Sequence, residues 1–299
     1  MPELPDIVVY IEALEQRVVG HKLESAEIRG PSLLRTATPP VEALNDHAVT
    51  ELRRVGKRIA FHFDNDLWLV FHLMIAGRLH WSEKRKTADG RRTLAAFNFD
   101  SGTLTLTEAG TRKRASLHLV AGEMGLAALD PGGADVFSAS LEQFTAVLTS
   151  ANHTLKRALT DPHLFSGIGN AYSDEILFHA QLSPVLLTQR LTAEQILRLY
   201  GATRSTLTQW TENLRAAASS KFPEKVTAFR DDMAVHGRYG MPCPKCGTKV
   251  QRICYASNET NYCPNCQTAG KLLADRSLSR LLRQDWPKSL DELEERRRA

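Results

Sequence analysis

At 299 residues with 42% apolar content, the chain can fill one or two ordinary cores, and two domains is the expectation. No apolar run reaches the roughly 18 residues that a bilayer-spanning helix needs, and the first residues lack a signal peptide's basic and apolar regions. This composition points to a soluble, cytoplasmic protein with no membrane partner. The net charge is only +4, but the cations are clumped at Arg53-Arg54 with Lys57-Arg58, at Lys84-Arg85-Lys86 with Arg91-Arg92, and at Arg112-Lys113-Arg114. Such clumps mark either a phosphate footprint or solvated loops.

The chain opens Met1-Pro2-Glu3-Leu4-Pro5-Asp6. Two readings stand here. Proline in the first turn and an acid at the positive end of the dipole suit an ordinary helix start. Alternatively, trimming of Met1 exposes the secondary amine of Pro2 beside the Glu3 carboxylate. An α-amine titrates near pH 8, roughly 2 to 3 units below a lysine, so a useful fraction is unprotonated at neutral pH. Such an amine can attack an aldehyde or acetal carbon to give an iminium ion, with Glu3 moving protons.

Ile7, Val8, Ile11, Leu14 and Val18 then recur at helical spacing up to Gly20, so a helix carries the N-terminus. From Lys22 to about Val120 the texture is that of strands. Ile59, Phe61 and Phe63 alternate up to Asp64-Asn65-Asp66, and Leu67 to Ile75 is mostly apolar. Phe97 and Phe99 precede Asp100-Ser101-Gly102, and Leu104 and Leu106 follow. One helix with six to eight strands predicts a two-layered β-sandwich.

Asp130-Pro131-Gly132-Gly133 reads as a linker to a helical region. Ser140 with Gln143, and Thr192 with Gln195, fit capping boxes. Between them Asp161 to Asn170 forms a turn-rich interruption, with a new helix expected near Tyr172 to Asp174. Gly167 and Gly169 allow N–H groups to converge on one anion ahead of that helix, and Asn170 can add a side-chain donor. An ordinary helix–turn–helix corner fits the same residues.

Cys243-x-x-Cys246 and Cys263-x-x-Cys266 are separated by sixteen residues, about one β-hairpin. Their spacing predicts a closed tetrahedral site for one structural Zn2+ in a reducing compartment. The thiolates leave the site anionic, and Lys245, Lys249 and Arg252 are near enough in sequence to offset it. Cys254 is expected to be a packed small residue rather than a fifth ligand. Beyond Gly270, Leu278, Leu281 and Leu282 offer an apolar edge before Trp286-Pro287, and Ser289 with Glu292 caps a mixed-charge end.

Taken in order, Pro-Glu-Leu-Pro, the Gly167-Ile168-Gly169-Asn170-Ala171-Tyr172-Ser173-Asp174-Glu175-Ile176-Leu177-Phe178 stretch and Tyr262-Cys263-Pro264-Asn265-Cys266-Gln267 make the chain resemble the formamidopyrimidine-DNA glycosylase and endonuclease VIII family from Met1 to about Gln267. The resemblance implies an α+β protein. Its parts would be an N-terminal catalytic β-sandwich domain (1–130), a helix–two-turn–helix DNA-binding domain (138–235), a zinc finger (236–270) and a helical tail (271–299). It implies a monomeric, nucleoid-associated base-excision repair enzyme that flips a damaged nucleotide out of double-stranded DNA. The Pro2 amine would attack C1′, expel the base and drive β- and δ-elimination, with Glu3 as the acid that opens the sugar. Lys57 would contact the damaged nucleotide, and Asn170 with Gly169 would hold its phosphate.

The sequence departs from the family pattern at several points. The usual fingertip arginine is Asn258 here, leaving Arg252 as a substitute grip. His-Leu-Gly-Met becomes His72-Leu73-Met74-Ile75, which makes Met74 and Ile75 the wedge for the vacated stack. Arg-Arg-Phe becomes Arg112-Lys113-Arg114-Ala115, with Arg112 and Arg114 still able to meet DNA. Asp6 stands in place of a longer glutamate, and no Gly-Thr-Thr loop that covers 8-oxoguanine lies between Ala216 and His236. These changes favour oxidised pyrimidines, ring-opened purines or abasic sites. The alternatives are a non-catalytic or lyase-only binder of damaged DNA on the same scaffold, or a zinc-ribbon interaction module.

Overall fold

The computed structural model describes residues 1–30, 32–219, 221–224, 226, 230–255 and 258–274, with 281–282, 285–287, 289–290, 292–293 and 295 of the tail. For Tyr255 and Asn258 only the backbone is described. Two compact units emerge, Met1–Gly133 with Thr208–Ala228, and Ala134–Leu207 with Phe229–Ala299.

In the first unit α1 (Leu4–Val18) buries Ile7, Leu14 and Val18 of the predicted stripe together with Tyr10, while Val8 and Ile11 are only partly buried. Eight strands follow: β1 (Leu23–Ile28), β2 (Val49–Val55), β3 (Arg58–Phe63), β4 (Leu67–His72), β5 (Gly77–Ser82), β6 (Thr93–Phe99), β7 (Gly102–Glu108) and β8 (Ser116–Ala121). They form two four-stranded antiparallel sheets, ordered β2-β3-β4-β8 and β1-β6-β7-β5. This is the predicted sandwich.

Alternation decides the faces. Ile59, Phe61 and Phe63 point into the core shared with Phe71 and Phe97, where ring centroids lie 4.9 Å (Phe61–Phe71) and 5.1 Å (Phe71–Phe97) apart. The opposite face of the same sheet buries Ala60, Trp68 and Val70 under Leu126 of α2 (Gly122–Ala127). Each such large apolar side chain contributes about 1.5–3 kcal/mol of burial. The apolar run Leu67–Ile75 is therefore only partly strand. It ends at His72, because the Leu73 carbonyl accepts the Gly77 N–H at 2.9 Å and closes a tight loop. A Cβ on Gly77 would lie 2.2 Å from that oxygen, so no other residue fits there.

The second unit contains α3 (Leu141–Thr149), α4 (Leu155–Thr160), α5 (Asn170–His179) and the first part of α6 (Ala193–Ala218). The Ser140/Gln143 capping box forms, and Thr192 and Gln195 exchange reciprocal bonds of 3.0 and 3.2 Å. Helix α5 begins at Asn170, two residues before the expected start, and is buried from Ala171 to Phe178. The finger follows as β9 (Gln251–Tyr255) paired with β10 (Asn258–Tyr262), then α7 (Pro264–Thr268). In the tail the Glu292 N–H reaches Ser289 Oγ at 3.3 Å as predicted, whereas Leu281 is 78% exposed and Leu278 lies outside the described residues. Among the described residues no helix is long and apolar enough to cross a membrane.

Candidate active site and nucleic-acid interface

Met1 is present, so the Pro2 nitrogen is an amide here and the free α-amine is that of Met1, a stand-in for the amine that trimming would expose. The helix-start reading of this stretch is what the structure shows. Glu3 is the N-cap of α1, and its N–H donates to Asp6 Oδ2 at 2.9 Å in a capping box. The shorter Asp6 thus serves the helix start. Glu3 and Asp6 are each only 1% exposed, an unusual depth for two neighbouring acids.

Two amines share their surroundings. Burial lowers the α-amine below its ordinary pKa; the Glu3 charge opposes this, Arg78 and Lys57 reinforce it, and Asp6 opposes it. Lys57, in the two-residue turn between β2 and β3, is also lowered by burial, and Glu3 again pulls the other way. One carboxylate therefore acts on both amines, and desolvation favours their neutral, nucleophilic forms.

At the end of β4, His72 is lowered to about 4 by burial and by the cations of Arg58 and Lys57, with His118 adding to them. It stays neutral at physiological pH. The loop after it carries the proposed wedge. Ile75 is 55% exposed, Arg78 Nη1 donates to the Gly77 carbonyl at 2.6 Å, and Met74 takes φ +52°. That left-handed conformation suits glycine, the residue the family pattern has there, and costs a methionine about 1–2 kcal/mol.

Arg112, Lys113 and Arg114 are exposed on the β7–β8 loop. The buried Glu108 carboxylate shapes that loop, accepting the N–H of Arg114 at 2.9 Å and of Ala115 at 3.2 Å. Sequence reasoning passed over Glu108. The only signal was a lone acid closing an otherwise alternating strand.

In the second unit, of the two turn glycines only Gly167 uses a left-handed backbone (φ +84°); Gly169 is extended and forms the N-cap of α5. The Asn170 side chain donates to the Glu259 carbonyl of β10 at 2.9 Å. An amide carries two N–H donors, so this bond uses one of them. The remaining anchors were not legible in the sequence. Asp174, fully buried, pairs with Lys156 and with His236 Nδ1 at 2.7 Å, and accepts the Asn261 N–H at 3.1 Å. Lys156 Nζ also donates to the Asn170 carbonyl at 2.6 Å. Glu175 accepts the N–H groups of Ala234, Val235 and His236 at 2.7–3.0 Å. Neither acid follows a helical period, because α5 is buried nearly all round.

The sulfurs of Cys243, Cys246, Cys263 and Cys266 all lie within 4.8 Å of one another, with Sγ–Sγ distances of 4.0 Å (Cys243–Cys266) and 3.5 Å (Cys246–Cys263). A tetrahedron of thiolates around zinc has edges of about 3.8 Å, so the donor set fits one structural Zn2+. Cys254 is exposed on β9 rather than packed, and belongs to no ligand cluster among the described residues. Arg252 is engaged by Glu259 at 3.0 Å and lies 4.3 Å over the Tyr239 ring. Asn258 opens β10, and its side chain lies outside the described residues.

A β-sandwich bearing its own N-terminal amine, together with a helical unit closed by a four-cysteine finger, defines a class of DNA-repair scaffold. Family profiles match the formamidopyrimidine-DNA glycosylase N-terminal domain over residues 1–117, the corresponding H2TH domain over 130–220, and the zinc finger found in FPG and IleRS over 240–269. The formamidopyrimidine-DNA glycosylase of Heliobacterium modesticaldum is 32% identical over 284 residues, covering 89% of this chain and 100% of its own. The solved MutM (Fpg) protein from Thermus thermophilus superposes with a TM-score of 0.74 at 29% identity, covering 89% of this chain and 98% of that one. Lactococcus lactis Fpg in complex with DNA containing an abasic site gives a TM-score of 0.78 at 25% identity, covering 89% and 99%. The chain belongs to the formamidopyrimidine-DNA glycosylase family.

Proposed function

We propose that the protein is a base-excision repair DNA glycosylase with abasic-site lyase activity whose nucleophile is the Pro2 amine. The observation that carries this reading is the half-buried α-amine at the head of α1, desolvated and within the field of buried Glu3. Once Met1 is removed, the Pro2 nitrogen attacks C1′ of the flipped nucleotide. The C1′–base bond breaks, and the base leaves with a proton. Glu3 gives a proton to the ring oxygen as the sugar opens, leaving the iminium. Loss of a C2′ proton expels the 3′ phosphate, and a second elimination expels the 5′ phosphate. Lys57 holds the damaged nucleotide, and the Asn170 amide and the first N–H groups of α5 hold its phosphate. Met74 and Ile75 fill the vacated stack.

The lesion class follows from the same surfaces. The 112–115 loop lacks an aromatic, and downstream of α6 Phe222 packs into the sandwich core, 5.8 Å from the Tyr10 ring. This favours oxidised pyrimidines, ring-opened purines and abasic sites over covered 8-oxoguanine. The enzyme acts as a monomer on double-stranded DNA in the cytoplasm.

Borohydride reduction on an abasic duplex tests the reading. The mature protein should give a covalent adduct whose peptide map places the sugar on the N-terminal proline. Glu3→Gln should slow base excision about 100-fold or more. A protein with an acetylated N-terminus that still traps DNA, or a mature protein that never does, overturns it.

A further inference from the structure

Arg78 has no part in the steps given to Pro2, Glu3 and Lys57, yet it stands between the wedge and the nucleophile. It is the second residue of β5, directly after the tight loop that carries Met74 and the exposed Ile75. Its Nη1 donates to the Gly77 carbonyl at 2.6 Å and to the Ile75 carbonyl at 3.3 Å. The Leu73 carbonyl is already spent on the Gly77 N–H, so the guanidinium takes the acceptors on the other side of the same turn. The backbone that aims Ile75 is thus held from both sides.

The next residue fastens this strand to α1. The Leu79 N–H donates to the Tyr10 hydroxyl at 3.4 Å, and Tyr10 lies one helical turn beyond buried Asp6 on the same face. The start of β5 is therefore fixed beside the acids at the head of the helix. Burial is the largest influence on the terminal amine and lowers it, and four charges add to that. Glu3 and Asp6 favour the protonated form, whereas Arg78 and, less strongly, Lys57 favour the neutral form. The two cations are not equivalent. Burial lowers Lys57 as well, which makes its charge conditional, while a guanidinium keeps its charge across the working range of pH.

We propose that Arg78 is a positioning residue of the glycosylase site, locking the Leu73–Gly77 loop through two of its carbonyls while setting a constant positive charge beside the N-terminal amine. This rests on the glycosylase reading. Two measurements on the mature protein separate the two roles. Single-turnover borohydride trapping on an abasic duplex, followed across pH, reads the amine, because only its neutral form attacks and protonation sets the acid limb. Arg78→Met keeps a long side chain without the charge. It should move the acid limb to higher pH, lowering trapping below neutrality about threefold or more with a smaller change on the alkaline plateau. Arg78→Lys restores the charge without the planar fork and should return the limb to the wild-type position. A fluorescent purine analogue beside a tetrahydrofuran abasic analogue reads the wedge. Both variants should lose part of the fluorescence change that wild type produces on binding. Trapping profiles that coincide for wild type and Arg78→Met, a rate reduced by one factor at every pH, or an unchanged fluorescence response in both variants each overturns the proposal. Arg78→Gln repeats the neutral test should Arg78→Met fold poorly. Absence of trapping by wild type at every pH would instead fault the glycosylase reading, while the fluorescence signal would still decide the role of Arg78 in the loop.

Discussion

At the head of α1, Glu3, Lys57 and the terminal amine are crowded in a dry environment that pushes both amines toward neutrality, beside a histidine held near 4 and a methionine in a left-handed backbone. In the second unit, Asp174 and Glu175 are buried as deeply, but each is met by a full set of donors from Lys156, His236 and backbone N–H groups. The same chemical types thus do opposite work. Where burial is compensated, charge fixes one geometry. At the head of α1 the capping box ties Glu3 to Asp6, yet desolvation still lowers both amines and the neighbouring loop holds a left-handed methionine, a setting that favours reactive groups over stability.

Removing the metal should have the largest effect. Structural zinc supports finger peptides by about 10–16 kcal/mol, so chelation, or Cys263→Ser, should unfold the finger and abolish binding to an abasic-analogue duplex. Zinc content and fluorescence anisotropy check this. Next, Asp174→Ala strands Lys156 and His236 without their carboxylate and should destabilise the protein by about 3–5 kcal/mol, while Asp174→Asn should cost less. Chemical denaturation measures both, and a small loss for Asp174→Ala would break the contrast between the units.

His72 gives a pH signature of the other region. Its folded pKa of about 4 lies below the ordinary 6.5, so the unfolded chain takes up the proton first as pH falls. Stability is unaffected above pH 6.5 and is progressively lost between 6.5 and 4. Thermal melts across that window should show a smaller decline for His72→Gln than for wild type. The smallest effect is expected from Met74→Gly, which relieves the left-handed strain and should raise stability by about 0.5–1 kcal/mol, seen as a melting temperature a few degrees higher. No gain there would mean the loop stores no strain.

Local chemistry made much of this legible in the sequence. Helix α1, the alternating strands, the capping boxes at Ser140 and Thr192 and the four-cysteine site follow from periodicities and spacings that act over a few residues. Pro2 and Glu3 could be proposed because an N-terminal secondary amine beside an acid is unusual chemistry wherever it sits. Tertiary structure decided the rest, because it depended on partners far apart along the chain. Strand β4 stops at His72 rather than Ile75 because Gly77 closes back on Leu73. Cys254 faces solvent because of its register on β9. Asp174 gains its meaning from Lys156, His236 and Asn261, and the Glu108 carboxylate from the N–H groups of Arg114 and Ala115. Local pattern specifies which elements form and which groups can react or bind zinc; only the fold decided which buried charges are satisfied and which side chains face solvent, since desolvation and pairing belong to the packed chain and not to any stretch of it.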